Sequence, residues 1–489
     1  MSIHRAVRLT TLATAANFIL SFISVIVVSR LLNPQEIGVF SVAVSIIAYT
    51  HILREFGVGQ YFVQLKDITR AHLRSGFTIM LIISWSIALL LFLAREPVSI
   101  FYRHDGLVAL FGVLALNFII LPFGSPILSI LKREMQFGRL AIVSISNSIV
   151  QVTVTVATAM AGESYMSMAW GSIAGNVTNV VLLSLMRTEF ALLQPTFRGL
   201  SEVLSFGSKS SAGSLIGQLG SSGPDLILGK TLGFAAVANY SRAASLNNMI
   251  LGKVNEIVGQ VFFPAFAQGI RNGNSPASMY CTSMLVVTGI IAPLMGVLAF
   301  LAQPLILFFF GPQWHEAATL AIYLCLFQLV RAPVAFAANA LVAGGHVGAV
   351  LRGEMVSQAT LLSILTLTIW LDLQTAIYLL LIARLVNLAT FASLLKCHYA
   401  ITYHALWSAV LPSYKLIPIT LIGPITLELG LFLGSWSIPP FLYLCAASLL
   451  ALGCYIAGIR MLRHPVREEL IRFAPPLAAL LGAVRRTPS

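Results

Sequence analysis

Six charged side chains stand where so apolar a chain would not be expected to carry them: Asp225, Arg242, Lys253, Glu256, Arg331 and Arg384. Each falls inside an apolar run of about 20 residues, the length of helix that crosses a bilayer core about 30 Å thick. A charge at the bilayer centre costs about 2.5–3.5 kcal/mol on insertion scales, so such residues face a wet cavity or a partner and mark a functional path. Arg242 and Lys253 are 11 residues apart. That is about three helical turns, so they share a face about 16 Å apart along the axis. Glu256 follows Lys253 by three residues and joins that face, as does Asn239. Cations outnumber carboxylates in this set, a balance suited to holding an anionic group in a low-dielectric cavity.

Several of these residues also have a plainer reading. Asp225 and Arg242 lie at matching depths on either side of a turn, so an ion pair between them could simply pin a hairpin. Glu256 could pair with Lys253 in the same way, and both carboxylates equally suit ion coupling. Arg331 precedes Pro333, Arg384 sits in mid-span, and both read as substrate-binding residues. Arg54 is a fifth candidate cation, although its place near a span end also fits snorkelling to the interface. Catalytic motifs are absent: there is no Walker A loop, HExxH, GxSxG or Cys/His cluster. The five cysteines lack zinc-type spacing and read as small core residues. No catalytic residue, metal or cofactor is expected.

The elements that must position these charges are membrane helices. Of 489 residues, 58% are hydrophobic and 10% charged, with a mean hydropathy of +0.89. Soluble domains carry about 25% charged residues, so a water-soluble fold is excluded. Spans are predicted at 9–31, 38–59, 76–95, 107–131, 140–161, 165–186, 204–231, 235–262, 279–302, 316–343, 351–371, 374–395, 413–434 and 438–460. That makes fourteen, or twelve if the last pair is set aside. The opening MSIHRAVRL runs into an apolar stretch with no small-residue cleavage site and reads as a retained first helix.

Charge sets the orientation. With the N-terminus in the cytoplasm, 21 of the 30 basic residues fall in cytoplasmic segments and only Arg30, Arg95, Arg103 and Lys230 outside. Short cytoplasmic loops carry such an excess, which predicts that both termini are cytoplasmic. The same rule accounts for the net charge of +13 without nucleic acid.

Segment 30–46, RLLNPQEIGVFSVAVSI, aligns on 230–246, KTLGFAAVANYSRAASL, with Leu32, Ser41, Ala43 and Ser45 matching Leu232, Ser241, Ala243 and Ser245. Each segment joins the first two helices of a six-helix set, a parallel repeat of the kind found in transporter folds. The predicted organisation is a six-helix lobe over 1–190, a second over 200–396, an extra helix pair over 397–462, and a cytoplasmic tail over 463–489 that is either amphipathic or disordered. Helix breakers recur: Pro122 and Pro126 flank Gly124 in span four, Pro264 is predicted to end span eight, and Pro293 and Pro333 to divide spans nine and ten.

Three stretches resemble the polysaccharide transporter family, the Wzx-type flippases of the superfamily that also holds MATE exporters and the lipid II flippase. They are Ser29–Phe40, SRLLNPQEIGVF; Leu128–Leu140, LSILKREMQFGRL; and Asp225–Ala244, DLILGKTLGFAAVANYSRAA. The resemblance covers about residues 1–400 and looks most like the colanic-acid or succinoglycan exporter branch. It implies an all-α membrane protein with two six-helix lobes related by a pseudo-twofold axis around a central cavity. It further implies movement of an undecaprenyl-diphosphate-linked oligosaccharide to the outer leaflet of the bacterial cytoplasmic membrane. Membrane lipid, a polysaccharide polymerase and a chain-length regulator are the other partners it implies. The alternative within the superfamily is a MATE-like multidrug or metabolite antiporter, which should carry unpaired intramembrane carboxylates. A non-transporting scaffold is disfavoured, since it has no need of a charged interior stripe.

Overall fold

The structure is a computed structural model that describes residues 3–55, 58, 62, 69–187, 194–196, 218, 220, 222–367, 373–435 and 438–473. All its described elements are helices or single 3-10 turns. Helices satisfy their backbone hydrogen bonds within one segment, which suits a chain that must cross lipid. The chain divides into two compact units, Met1–Ala238 and Asn239–Ser489.

The first unit holds α1 (Ile3–Leu31), α2 (Pro34–Glu55), α3 (Arg70–Tyr102), α4 (Gly106–Ile120), α5 (Ser125–Arg133), α6 (Phe137–Met160), α7 (Met166–Met186) and α8 (222–231). α2 starts where Asn33 and Glu36 close a reciprocal cap: the Glu36 amide donates to Asn33 Oδ1, and the Asn33 amide to Glu36 Oε2. The matching turn of the internal repeat uses a different device, because Gly233 adopts φ +86 and turns the chain out of α8. α1 packs on α6, where Asn17 bonds Ser144 and Ser148. Asn176 donates to Asn117 Oδ1 at 2.8 Å and is used inside the unit.

The second unit holds α9 (Phe234–Arg271, from Asn239 onward), α10 (Pro276–Phe310), α11 (His315–Arg331), α12 (Ala337–Ala343), α13 (Val347–Thr366), α14 (Leu373–Tyr399), α15 (Tyr403–Tyr414), α16 (Leu416–Leu433), α17 (Pro440–Met461) and α18 (Val466–Phe473). Its hub is α10, which packs on α11, α15, α16, α17 and α18.

Among the described residues, eleven stretches are long and apolar enough to cross a membrane, and each overlaps a predicted span. The polar helices α9 and α13 lie at predicted spans eight and eleven but outside that set, and most of predicted span seven lies outside the described residues.

The prolines do not all act as predicted. Pro122 and Pro333 do break their helices, each into a single 3-10 turn. Pro264 does not end its helix, which runs on to Arg271, and Pro293 lies inside an unbroken α10. A proline inside a helix removes one ladder bond, a loss that close-packed neighbouring helices let a membrane helix absorb.

The segment that follows α17, as far as Phe473, is docked through a buried histidine. The Val466 amide donates to His464 Nδ1 at 3.2 Å, and Nε2 lies 3.1 Å from Ser413 Oγ, which itself donates to the Leu285 carbonyl. That pattern requires a neutral imidazole with its proton on Nε2. Burial lowers its pKa below the ordinary 6.5, so the contact is intact above about pH 6.5 and weakens as pH falls below it. Lys415 just before α16, Arg460 in the last turn of α17, Arg463 just after it, and Arg467, Glu468 and Glu469 on α18 are the charged residues nearest in sequence to this contact. Amide exchange across 463–473 is expected to quicken by up to about tenfold between about pH 7.5 and about pH 5.5, after correction for intrinsic rates. His464→Phe should erase that pH dependence.

Candidate functional site

Pro333 stops α11 at Arg331. The proline has no N–H to offer the Leu329 carbonyl, which keeps only the shorter bond from the Ala332 amide, and two tyrosines add donors at the break. Tyr280 Oη donates to the Pro333 carbonyl at 3.0 Å, and Tyr414 Oη to that of Leu329. Arg331 is thereby fixed where helix gives way to turn. α14 packs on both α11 and α13. On α13, Glu354, Ser357, Gln358 and Leu361 recur at helical spacing and share a face. On α14, Arg384 and Asn387 are one turn apart.

These side chains enclose a cavity of about 140 Å³, lined by Arg331, Glu354, Ser357, Gln358, Arg384 and Asn387 among others. Arg331 also lines a second cavity of about 240 Å³, together with Gln328, Asn339 and Phe336. Two predicted site residues, Arg331 and Arg384, are thus brought together, and Glu354 is close enough to act on the Arg331 charge. Two guanidinium groups against one carboxylate leave a net charge of +1 around the smaller cavity. Among the described residues neither arginine makes a close ion pair.

Hydrogen bonding in the cavity is incomplete in both senses. Gln358 Nε2 donates to Glu354 Oε2 at 3.4 Å, which turns its Oε1 away without a partner. Asn387 Nδ2 donates to Ser357 Oγ at 2.9 Å, and its Oδ1 also lacks a partner. Arg331 Nε is a buried donor without an acceptor. Buried polar groups are rarely left unmet, and these three atoms, closed off from the cavity's own space, stand out among the described residues.

The other predicted residues lie elsewhere. Arg54 reaches Ser125 Oγ at 3.4 Å in the first unit. Asp225, also in the first unit, accepts from Ser45 Oγ at 2.9 Å. Arg242 belongs to the second unit, where its guanidinium lies 5.6 Å from the Trp314 ring centroid and its Nε has no partner. Asn239 donates to Glu316 at 2.6 Å. The side chains of Lys253 and Glu256 lie outside the described residues. Sequence reading passed over Glu354, Ser357, Gln358 and Asn387. The signal was present in Glu354, Ser357 and Gln358, three polar residues on one face of predicted span eleven. They lie near the start of that predicted span, where polar residues ordinarily meet the membrane interface.

Residues 27–319, more than half of the chain, match the family described as polysaccharide biosynthesis protein. The chain is 23% identical over 330 residues to the lipopolysaccharide biosynthesis protein WzxC of Escherichia coli (strain K12), covering 66% of each. It is 25% identical over 322 residues to the succinoglycan biosynthesis transport protein ExoT of Rhizobium meliloti (strain 1021), covering 65% of this chain and 64% of that protein. The alignments thus span just under two thirds of these relatives' lengths. Among solved structures, the lipid II flippase MurJ in an inward closed conformation superposes with a TM-score of 0.73 at 12% identity, covering 95% of this chain and all of that one. An inward-facing multidrug resistance MATE transporter of the MOP superfamily superposes with a TM-score of 0.64 at 13% identity, covering 80% and 96%. At these identities the likeness establishes the fold.

Proposed function

The chain belongs to the polysaccharide biosynthesis protein family, membrane transporters with the MOP-superfamily fold and not enzymes, and from that premise we propose that it flips a lipid-linked oligosaccharide. The cargo is an undecaprenyl-diphosphate-linked repeat unit for a surface polysaccharide. It moves from the inner to the outer leaflet of the bacterial cytoplasmic membrane by alternating access. The glycan and its anionic groups pass through polar interior while the lipid tail stays in the bilayer.

One observation carries this reading: Arg331 and Arg384 line a polar cavity among membrane helices without close ion pairs among the described residues. Guanidinium groups in such a setting bind phosphate or carboxylate strongly. In the sequence, Arg242 and Lys253 on α9 and Arg54 on α2 are the further candidate cations, and Asp225 and Glu256 are the carboxylates available for pairing or ion coupling. An inside-negative potential favours outward movement of an anion by about 2.3 kcal/mol per charge per 100 mV.

The test is translocation in reconstituted vesicles. A fluorescent lipid-linked oligosaccharide placed in one leaflet should reach the other far faster with the protein than without it. Efflux of a cationic dye with no movement of lipid-linked sugar would overturn the reading in favour of a MATE-like exporter.

A further inference from the structure

We propose that α10 bends at Pro293 and that the C-terminal helices α15–α17 are the brace that holds it straight, with Tyr455 as the stay that is made and broken. The part this bending plays in moving cargo rests on the transport reading above.

A proline in mid-helix offers no amide to the carbonyl four residues back. For Pro293 that carbonyl belongs to Gly289. Tyr455, on α17, donates to it at 2.9 Å, so a side chain from another helix stands in for the missing backbone donor. The proline that ends α11 is met in the same way. Four residues before Pro333 lies the Leu329 carbonyl, and Tyr414, the last residue of α15, donates to it. Pro97, Pro304, Pro412 and Pro424 also lie inside helices. Of these six prolines, among the described residues, only Pro293 and Pro333 have that carbonyl met by a side-chain hydroxyl.

The same C-terminal stretch grips α10 just before its proline. Ser413 Oγ donates to the Leu285 carbonyl at 3.0 Å and lies 2.9 Å from Thr288 Oγ1. The His464 ring and Val466 sit against Gly289, where an added Cβ would lie 2.6 Å from His464 Cε1 and 3.3 Å from Val466 Cβ. At Gly289 the helix thus presents bare backbone, lacks one ladder bond and is held from outside. Sharp bends in helices fall at such positions. The two tied prolines differ in one respect. At Pro333 a second hydroxyl, from Tyr280, takes the proline's own carbonyl, and the helix there is broken. At Pro293 the tie is single and α10 is continuous. One hydroxyl bond is a modest net stabiliser, so it favours the straight form without locking it.

The experiment uses the full-length protein in lipid nanodiscs, with its native cysteines replaced. Spin labels at Ser278→Cys and Gln303→Cys, both exposed on α10, bracket the hinge. The two sites lie about 38 Å apart on a straight helix, a distance that double electron–electron resonance reads. The unaltered protein should show a straight majority and a bent, shorter minority. Tyr455→Phe, which removes only the hydroxyl, should enlarge the minority by up to about tenfold. Pro293→Ala restores the backbone donor and should abolish the minority. In the Pro293→Ala background Tyr455→Phe should then change nothing. A role in packing alone predicts that Tyr455→Phe acts equally in both backgrounds, and that result overturns the proposal. A single distance in the unaltered protein, or a minority that survives Pro293→Ala, overturns it too, and both are read without Tyr455→Phe should that variant fail to fold. In the vesicle assay Pro293→Ala should slow translocation at least about tenfold, since the cycle then lacks its bending step. Translocation by Pro293→Ala at the full rate also counts against the hinge. A bent minority that Pro293→Ala removes, with no movement of lipid-linked sugar by the unaltered protein, sinks the transport reading and leaves the hinge standing. Translocation by a protein with one straight distance does the reverse.

Discussion

Changing Arg331 and Arg384 together to alanine is expected to cut lipid-linked oligosaccharide translocation at least about a hundredfold while leaving the amount of inserted protein unchanged or higher. Each hydrogen bond to a charged group contributes about 1.5–3 kcal/mol, and about 1.4 kcal/mol is a factor of ten. Two such losses multiply to a hundredfold or more if the arginines bind in the transported state. Insertion moves the other way. An arginine at the centre of a membrane helix costs about 2.5–3.5 kcal/mol on translocon scales, so its removal eases assembly. A purely structural role predicts the opposite pairing of results, with less protein and normal transport per molecule. Arg331→Lys should be intermediate, because it keeps the charge but loses the planar fork. Quantitative membrane blots alongside the vesicle assay supply both numbers.

The second large effect lies in the first unit, at Gly38 on α2. A Cβ there would lie 1.8 Å from the Phe234 carbonyl oxygen and 2.4 Å from its carbon. These are backbone atoms and cannot swing aside as a side chain can. Around them, α8 is tied down by the Ser45–Asp225 bond, by Tyr102 Oη donating to the Leu226 carbonyl, and by Lys230 against Phe101. Gly38→Ala must therefore push α2 away from the turn at Gly233 and Phe234. Overpacking of this kind costs about 1–3 kcal/mol, and more where backbone is met. We expect a clear drop in thermal stability of the purified protein, seen as earlier aggregation in fluorescence-detected size exclusion. Gly252→Ala and Gly430→Ala, whose added methyls meet nothing within 4 Å among the described residues, should behave as the unaltered protein.

Much of the fold is legible in the sequence because lipid imposes one-dimensional rules. Long apolar runs mark the crossing helices, and the residues around Asn33 and Gly233 mark two of the turns. What the sequence hides depends on partners distant along the chain. Pro333 breaks its helix where Tyr280 and Tyr414 add donors, whereas Pro293 leaves α10 intact. Nothing local distinguishes the two. Arg331 and Arg384 stand out as buried charges, but their meeting around one cavity depends on how α11, α13 and α14 pack. Glu354, Gln358 and Asn387 become part of a site only once that packing is known. The approach of Gly38 to Phe234 is likewise tertiary and has no local signal.

The central claim is that the arginine-lined cavity of the second unit is a wet, substrate-receiving chamber, although it lies among membrane helices. Cysteine accessibility tests this most directly, in a protein whose five native cysteines have been replaced. Ala383 lines the cavity, whereas Leu385, two residues on along α14, is not part of that lining and is 47% exposed. A membrane-impermeant, charged thiol reagent should modify Ala383→Cys, with protection by lipid-linked oligosaccharide, and should leave Leu385→Cys in lipid untouched. Ala383→Cys as inert as Leu385→Cys, with and without substrate, would contradict the account.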